Sequence, residues 1–263
     1  MAAGDVIANV TTNNSRQGAV FDGVDDYIEI AHNDNQLGKN LSNGFTISAW
    51  INPTSSGGGT AGSSGYILDK SSAGAGADGF YLGSNLTDDK WQLTIDQGTT
   101  VKSTNAMTIG VWTHILVTVS SAQLANMYLN GTITGTPNTD LIKTIADITT
   151  TGVMKIGNRF GSTDKPFDGV ISDVQMWNRV LSADEIAQVY AGFPDIKTGR
   201  IVNYKLNGTY GDATNSGTHF TIRDDAIAAA IAAQRVNPTS VSGHTLFTGL
   251  PGGQILSAII EED

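Results

Sequence analysis

FDGVISDVQMWNRVLSADEIAQVYAG, residues Phe167 to Gly192, carries three local signals in a single run. From Gly169 to Trp177 the pattern has period two. Val170, Ser172, Val174 and Met176 are expected on one side and Ile171, Asp173, Gln175 and Trp177 on the other, the pleat of a β-strand. Ser182-Ala-Asp-Glu185 then has the spacing of a capping box. The Ser hydroxyl accepts from the Glu185 backbone N–H, and the Glu carboxylate reaches back to the Ser182 N–H. Ile186, Val189 and Tyr190 make the apolar stripe of a short helix, and Gly192 ends it. A strand, a turn and a capped helix therefore follow one another.

At these residues the chain resembles the laminin-G-like, concanavalin-type jelly rolls, whose last core strand and short helix typically read F-x-G-x-I-D-E-V-x-I-[YW]-N-R-A-L-S-x-x-E-I. It departs from that pattern where Asp173 is followed by Val174 in place of Glu. Further anchors lie in the family's order. Val20 to Ile30 (VFDGVDDYIEI) resembles its opening hairpin, and Phe45 to Ile51 (FTISAWI) its second core strand. Trp112-Thr-His114 with Met127 to Gly131 (MYLNG) resembles its W-T-H and Y-x-N-G hairpin, and Lys155-Ile-Gly157 its late strand. The resemblance implies an all-β fold: a two-sheet antiparallel jelly-roll sandwich with a short helix after the last core strand.

Working outward, residues 1–17 are expected to form an N-terminal arm or edge strand, and 18–192 the jelly roll. Residues 193–222 read as closing strands of the same sandwich, through Arg200 to Leu206 and His219 to Ile222. About sixty residues after Gly192 are too few for a second sandwich. Residues 223–263 read as a small helical extension with an apolar tail. Asp224 to Val236 is rich in Ala, with Asp224 and Asp225 at the positive end of the helix. Gln254 to Ile260 is apolar. This extension is the expected anchor for a homo-oligomer, and a cyclic trimer is one closed arrangement open to it. The Gly-rich stretches Thr54–Ser64 and Ser71–Asp78 are loop tips or binding loops.

The formal net charge is −10 with 15 Lys plus Arg. Such a chain has no basic stripe for a phosphate backbone and is poorly matched to an anionic membrane surface. With no cysteine, a disulfide framework and thiolate metal ligation are excluded. The first residues show neither a basic segment nor a long apolar one, so no signal peptide is expected.

Retaining glycosidases need two carboxylates about 5–5.5 Å apart. The glucan-hydrolysing relatives that this resemblance brings in place them as E-x-D-x-E. The only Glu residues here, Glu29, Glu185, Glu261 and Glu262, form no such motif. His32, His114, His219 and His244 are isolated, with no nucleophile elbow and no H-E-x-x-H. An enzyme is not expected.

Asp22-Gly-Val-Asp25-Asp26 crowds three carboxylates around a tight turn, as a Ca²⁺ site requires. The resemblance adds Asp173 on the last strand as a fourth ligand of a structural ion. The alternative is a turn whose Asp side chains bond backbone amides. Among the aromatics, Trp50, Trp112 and Trp177 are expected in the core, whereas Trp91 follows a charged turn and is either exposed or at the start of a strand. Tyr66, Tyr81, Arg159 and Asp164 are rim candidates for a glycan.

These features together suggest a non-enzymatic bacteriophage structural protein. It would be displayed on the virion surface as a decoration, head-fibre or tail protein after assembly in the host cytoplasm. Its partners would be other virion proteins, copies of itself and host surface glycans, with no nucleic acid and no membrane insertion. The alternative is a bacterial carbohydrate-binding module or adhesin domain.

Overall fold

The computed structural model describes residues 16–206 apart from 17, 33–40, 42, 57–64, 73–77, 86, 97, 99, 141–150 and 163. It adds the strand backbones at 220–223, 237–241, 244–250 and 254–258. The first sheet runs β1 (Ala19–Asp22), β12 (Asp168–Trp177), β3 (Gly44–Pro53), β8 (Thr113–Ser120), β9 (Leu124–Leu129), β10 (Thr132–Asp140). β13 (Arg200–Tyr204) also pairs with β12. The second runs β14 (Phe220–Arg223), β2 (Tyr27–Ile30), β11 (Met154–Ile156), β4 (Tyr66–Lys70), β5 (Phe80–Ser84), β6 (Lys90–Ile95), β7 (Thr100–Ala106). All these pairings are antiparallel.

Alternation decides which side chains meet between the sheets. Phe45, Ile47, Ala49 and Ile51 of β3 face inward beside Ile115, Val117 and Val119 of β8. The register sets Phe45 opposite Val119 and Ile47 opposite Val117, the cross-strand pairs that stabilise a sheet. From the second sheet come Ile28, Ile30, Leu68, Phe80, Leu82, Leu93, Ile95 and Ile156. Phe45 stacks on Phe80 across the gap at 5.2 Å, locking the layers together.

β12 breaks strict alternation. Ser172 pairs with Trp50 and Gln175 with Ser48, so Asp173 and Val174 together oppose Ala49. Asp173 has φ 52, the left-handed geometry of a bulge residue. The inserted residue shifts the parity. Ile171, expected on the face opposite Val174 and Met176, joins both in the core. The same bulge divides the other edge of β12. Ala19–Asp22 pairs with its first half and Arg200–Tyr204 with its second, while Asp173 N donates to Lys205 O between them.

α1 (Ala183–Ala191) lies on the outer face of the first sheet, with both capping-box bonds formed and Gly192 in the left-handed region. Ile186 and Val189 pack with Leu116, Trp177 and Leu181 in a second small core. Arg179 grips Glu185 with two bonds of 2.7 Å and holds that carboxyl down at about 2, so the cap keeps its charge. The β9–β10 hairpin turns through Asn130 and Gly131, both at positive φ.

One tryptophan left open is decided and another differs from expectation. Trp91, near the start of β6, is 1% exposed and belongs to the same core as Leu93 and Val101. Trp112 is only partly buried, since it precedes β8 at the end of a surface loop. The helix expected at 224–236 lies outside the described residues. Within the stretch read as a helical extension with an apolar tail, β15 (Asn237–Val241), β16 (His244–Leu250) and β17 (Gln254–Ala258) pair as an antiparallel meander.

Gly157 follows β11 at φ +88, and a Cβ there would sit 2.1 Å from the Phe21 ring. Gly157→Ala is expected to cost about 2–4 kcal/mol through overpacking and backbone strain. Urea unfolding checks this, and a loss below about 1 kcal/mol would contradict the tight packing described.

Candidate functional site

The acidic turn joins β1 to β2. Asp22 Oδ1 accepts from Val24 N and Asp26 Oδ2 from Asp22 N, each at 2.8 Å. The turn-forming role of the Asp side chains is thus realised. Carboxylate oxygens of Asp22, Asp25 and Asp26 also lie within 4.8 Å of one another, with Asp26 buried and the other two exposed. Asn158 Nδ2 donates to Asp26 O at 3.5 Å, tying the turn to the loop after β11. An all-oxygen set of this kind is chemically suited to a hard cation.

Asp173 does not join the cluster. Asp22 registers with Asp168, so Asp173 lies five residues further along β12, about 16 Å at strand rise. Its carboxylate instead accepts from Lys205 Nζ at 2.7 Å and Gln175 Nε2 at 2.9 Å. The cause is the bulge, which commits Asp173 to the β12–β13 junction.

The outer face of the second sheet is polar. Glu29, Lys155, Asp69, Tyr81, Thr94 and Thr100 stand in one row across β2, β11, β4, β5, β6 and β7. Lys155 Nζ sits 3.8 Å over the Tyr27 ring. Tyr66 and Tyr81 stack at 4.3 Å and 4° between planes. Gln92 Nε2 donates to Tyr81 Oη at 2.6 Å and Gln92 Oε1 accepts from Asn85 Nδ2 at 2.9 Å. Arg159 pairs with Asp164 at 2.7 Å.

The rim candidates Tyr66, Tyr81, Arg159 and Asp164 thus belong to one region, but not as a stacking platform. Tyr66 is 4% and Tyr81 9% exposed, so each ring mainly covers the other. Burial pushes the Tyr66 phenol well up and raises the Asp69 carboxyl, against the pull of Phe160 N, Arg159 and Lys155.

The open concavity lies at the edge of this face. A groove of about 670 Å³ separates β7 from β10 and is lined by Lys90, Thr100, Lys102, Ser103, Thr104, Gly135, Thr136, Asn138, Thr139 and Asp140. It exists because β10 leaves β9 between Thr134 and Thr139. The freed segment reaches the other sheet: Thr104 N donates to Thr134 Oγ1 at 2.9 Å and Gly135 N to Thr104 Oγ1 at 2.8 Å. Only Gly fits there, since a Cβ on residue 135 would meet Lys102 O at 1.9 Å. Asn126 holds Asn138 by two bonds, and Thr139 Oγ1 donates to Thr136 O. The wall is therefore braced in advance of any ligand. Sequence reading missed it, because its residues are scattered Thr, Ser, Asn and Lys; the Gly135-x-Pro137 interruption of a strand was the available signal.

On the outer face of the first sheet, Ser48 Oγ and His114 Nε2 lie 2.7 Å apart. Among the described residues the pair lacks the orienting carboxylate of a triad, since His114 Nδ1 has no partner there, and the ring is fully buried against Trp50 and Tyr190. It is a packing element. Arg16 closes over Trp50 at 3.7 Å.

Residues 22–187 match the family model described as the concanavalin A-like lectin/glucanases superfamily. Among solved structures, a putative carbohydrate binding protein from Bacteroides ovatus superposes with TM-score 0.55 at 19% identity, covering 80% of this chain. The chain spans 61% of that protein's length. A heptameric SAP-like pentraxin from Limulus polyphemus gives 0.49 at 16% identity, covering 78% of this chain and 94% of its own. A Trypanosoma rangeli sialidase gives 0.48 at 16% identity, covering 66% of this chain and 27% of its own. No curated protein matches the sequence.

Burial, and secondarily the Arg16 charge, lower His114 from 6.5 to about 3. Between those values the unfolded chain binds a proton that the folded chain does not, so stability falls as pH drops through the interval. The melting temperature should be lower at about pH 5.5 than at about pH 7.5, and the difference should shrink in His114→Gln. An equal difference in the variant would remove His114 as its source.

Proposed function

Since the chain belongs to the concanavalin A-like lectin/glucanases superfamily, we propose that it is a non-enzymatic carbohydrate-binding module. The observation that carries this reading is the braced groove between β7 and β10, lined by hydroxyls, an amide and two lysines. Binding sites for polar ligands need fixed donors and acceptors in a concave surface, and saccharides present hydroxyls that both donate and accept. Membership of a superfamily that holds both lectins and glucanases leaves catalysis to the site, and the Ser48–His114 pair is closed to substrate. The virion reading rests on the sequence features and the C-terminal extension described above, whereas the family match and the groove support the carbohydrate-binding alternative better. Among the described residues no helix is long and apolar enough to cross a membrane.

Asp22, Asp25 and Asp26 would hold a Ca²⁺ ion, which would neutralise three crowded carboxylates and stiffen the β1–β2 turn. The ion has no part in the groove's chemistry.

Calcium at millimolar concentration is expected to raise the melting temperature by a few degrees, and Asp25→Asn to abolish the rise. An unchanged melting temperature would reduce the cluster to a turn motif. For the groove, a glycan array with the full chain should give saturable ligands. Thr136→Trp, at an exposed wall position, should abolish that binding while leaving the melting temperature unchanged. Ligands that bind the variant equally well would place the site elsewhere.

A further inference from the structure

The groove's charge contrasts with that of the rest of the chain. On a protein of net charge −10, two lysines line one small concavity. Gln92 registers with Lys102 and Lys90 with Ala106, and a register shift between the two pairs sets both lysines along the β6–β7 side of the groove. Lys102 shares its ammonium with Asp88 at 3.4 Å, a long and half-exposed pair. Lys90 makes no ion pair among the described residues and stands ready for an external anion. Asp140 also lines the groove and disfavours a ligand that is anionic throughout.

The wall supplies the complementary chemistry. Thr139 donates its proton to Thr136 O and keeps two acceptor lone pairs, while Thr104 Oγ1 accepts from Gly135 N and keeps its own proton. Such a wall reads hydroxyl groups. A sugar–phosphate backbone offers few hydroxyl donors to satisfy it and carries a charge on every unit.

We propose that the groove selects an acidic saccharide, with Lys90 and Lys102 binding a carboxylate and the β10 wall binding the hydroxyls of the same chain. This rests on the carbohydrate-binding reading and specifies its substrate class. The exposed charges elsewhere repel such a ligand over about 8 Å at physiological salt, which confines it to the lysine pair.

The test is calorimetry with the full chain and two probes. One is a hexasaccharide of alternating glucuronic acid and N-acetylglucosamine. The other is the same hexasaccharide with its carboxylates reduced to alcohols. The acidic probe should bind about tenfold more tightly, since charge-assisted hydrogen bonds are roughly twice as strong as neutral ones. In a Lys90→Gln, Lys102→Gln variant the ratio should fall to about one, with the neutral affinity retained. Equal affinities in the unsubstituted protein would overturn the acidic selectivity alone. Binding of neither probe would overturn the carbohydrate reading as well. A short oligothymidylate that displaces the acidic probe at equal concentration would make the lysines a general polyanion site and defeat the proposal.

Discussion

One backbone constraint organises this molecule: the left-handed residue at the centre of β12. A strand buried between neighbours on both edges must place apolar side chains on the core face along its whole length. The sequence Val-Ile-Ser-Asp-Val-Gln-Met cannot do so at strict period two. Holding Asp173 at φ 52 resets the parity, so Ile171 on one side of the break and Val174 and Met176 on the other reach the same core. A non-glycine residue in this region is strained. Lys205 and Gln175 anchor the Asp173 carboxylate, and Lys205 O takes its N–H, so the strained residue is held by the strand that the break admits. The arrangement explains why β1 and β13 share one edge of β12, and why Asp173 is unavailable to the acidic turn.

A second interruption of the same kind makes the groove. Where β12 uses a bulge to fill the core, β10 uses Gly135 and a detour to Asn138 to leave its sheet and touch β7. Both departures spend backbone regularity on a position that an ideal strand could not reach, and in both a side-chain network fixes the result. The first serves packing. The second leaves a walled space lined by polar side chains.

Much of the fold was legible in local chemistry. The capping box at Ser182 and Glu185 and the hairpin turn within Met127–Gly131 depend on neighbours in sequence, and each is found where expected. Trp91 was harder to place, because an adjacent charged turn says nothing about which pleat the ring occupies. Asp173 lies apart from the acidic triplet, and the pattern of residues around it did not mark where β12 would bulge. Of the candidate site, the acidic triplet was readable since five consecutive residues supply it. The groove was not, since it joins residues 90–104 to residues 135–140 from different sheets.

The account stands or falls on where a saccharide touches the chain. The most direct measurement is a ¹H–¹⁵N correlation titration with an oligosaccharide ligand. The account predicts shift changes concentrated at the amides of Thr100–Thr104 and Gly135–Asp140, with the Asp22–Asp26 turn unmoved. Changes centred on that turn, or on the Tyr66–Tyr81 pair with the groove silent, would contradict it.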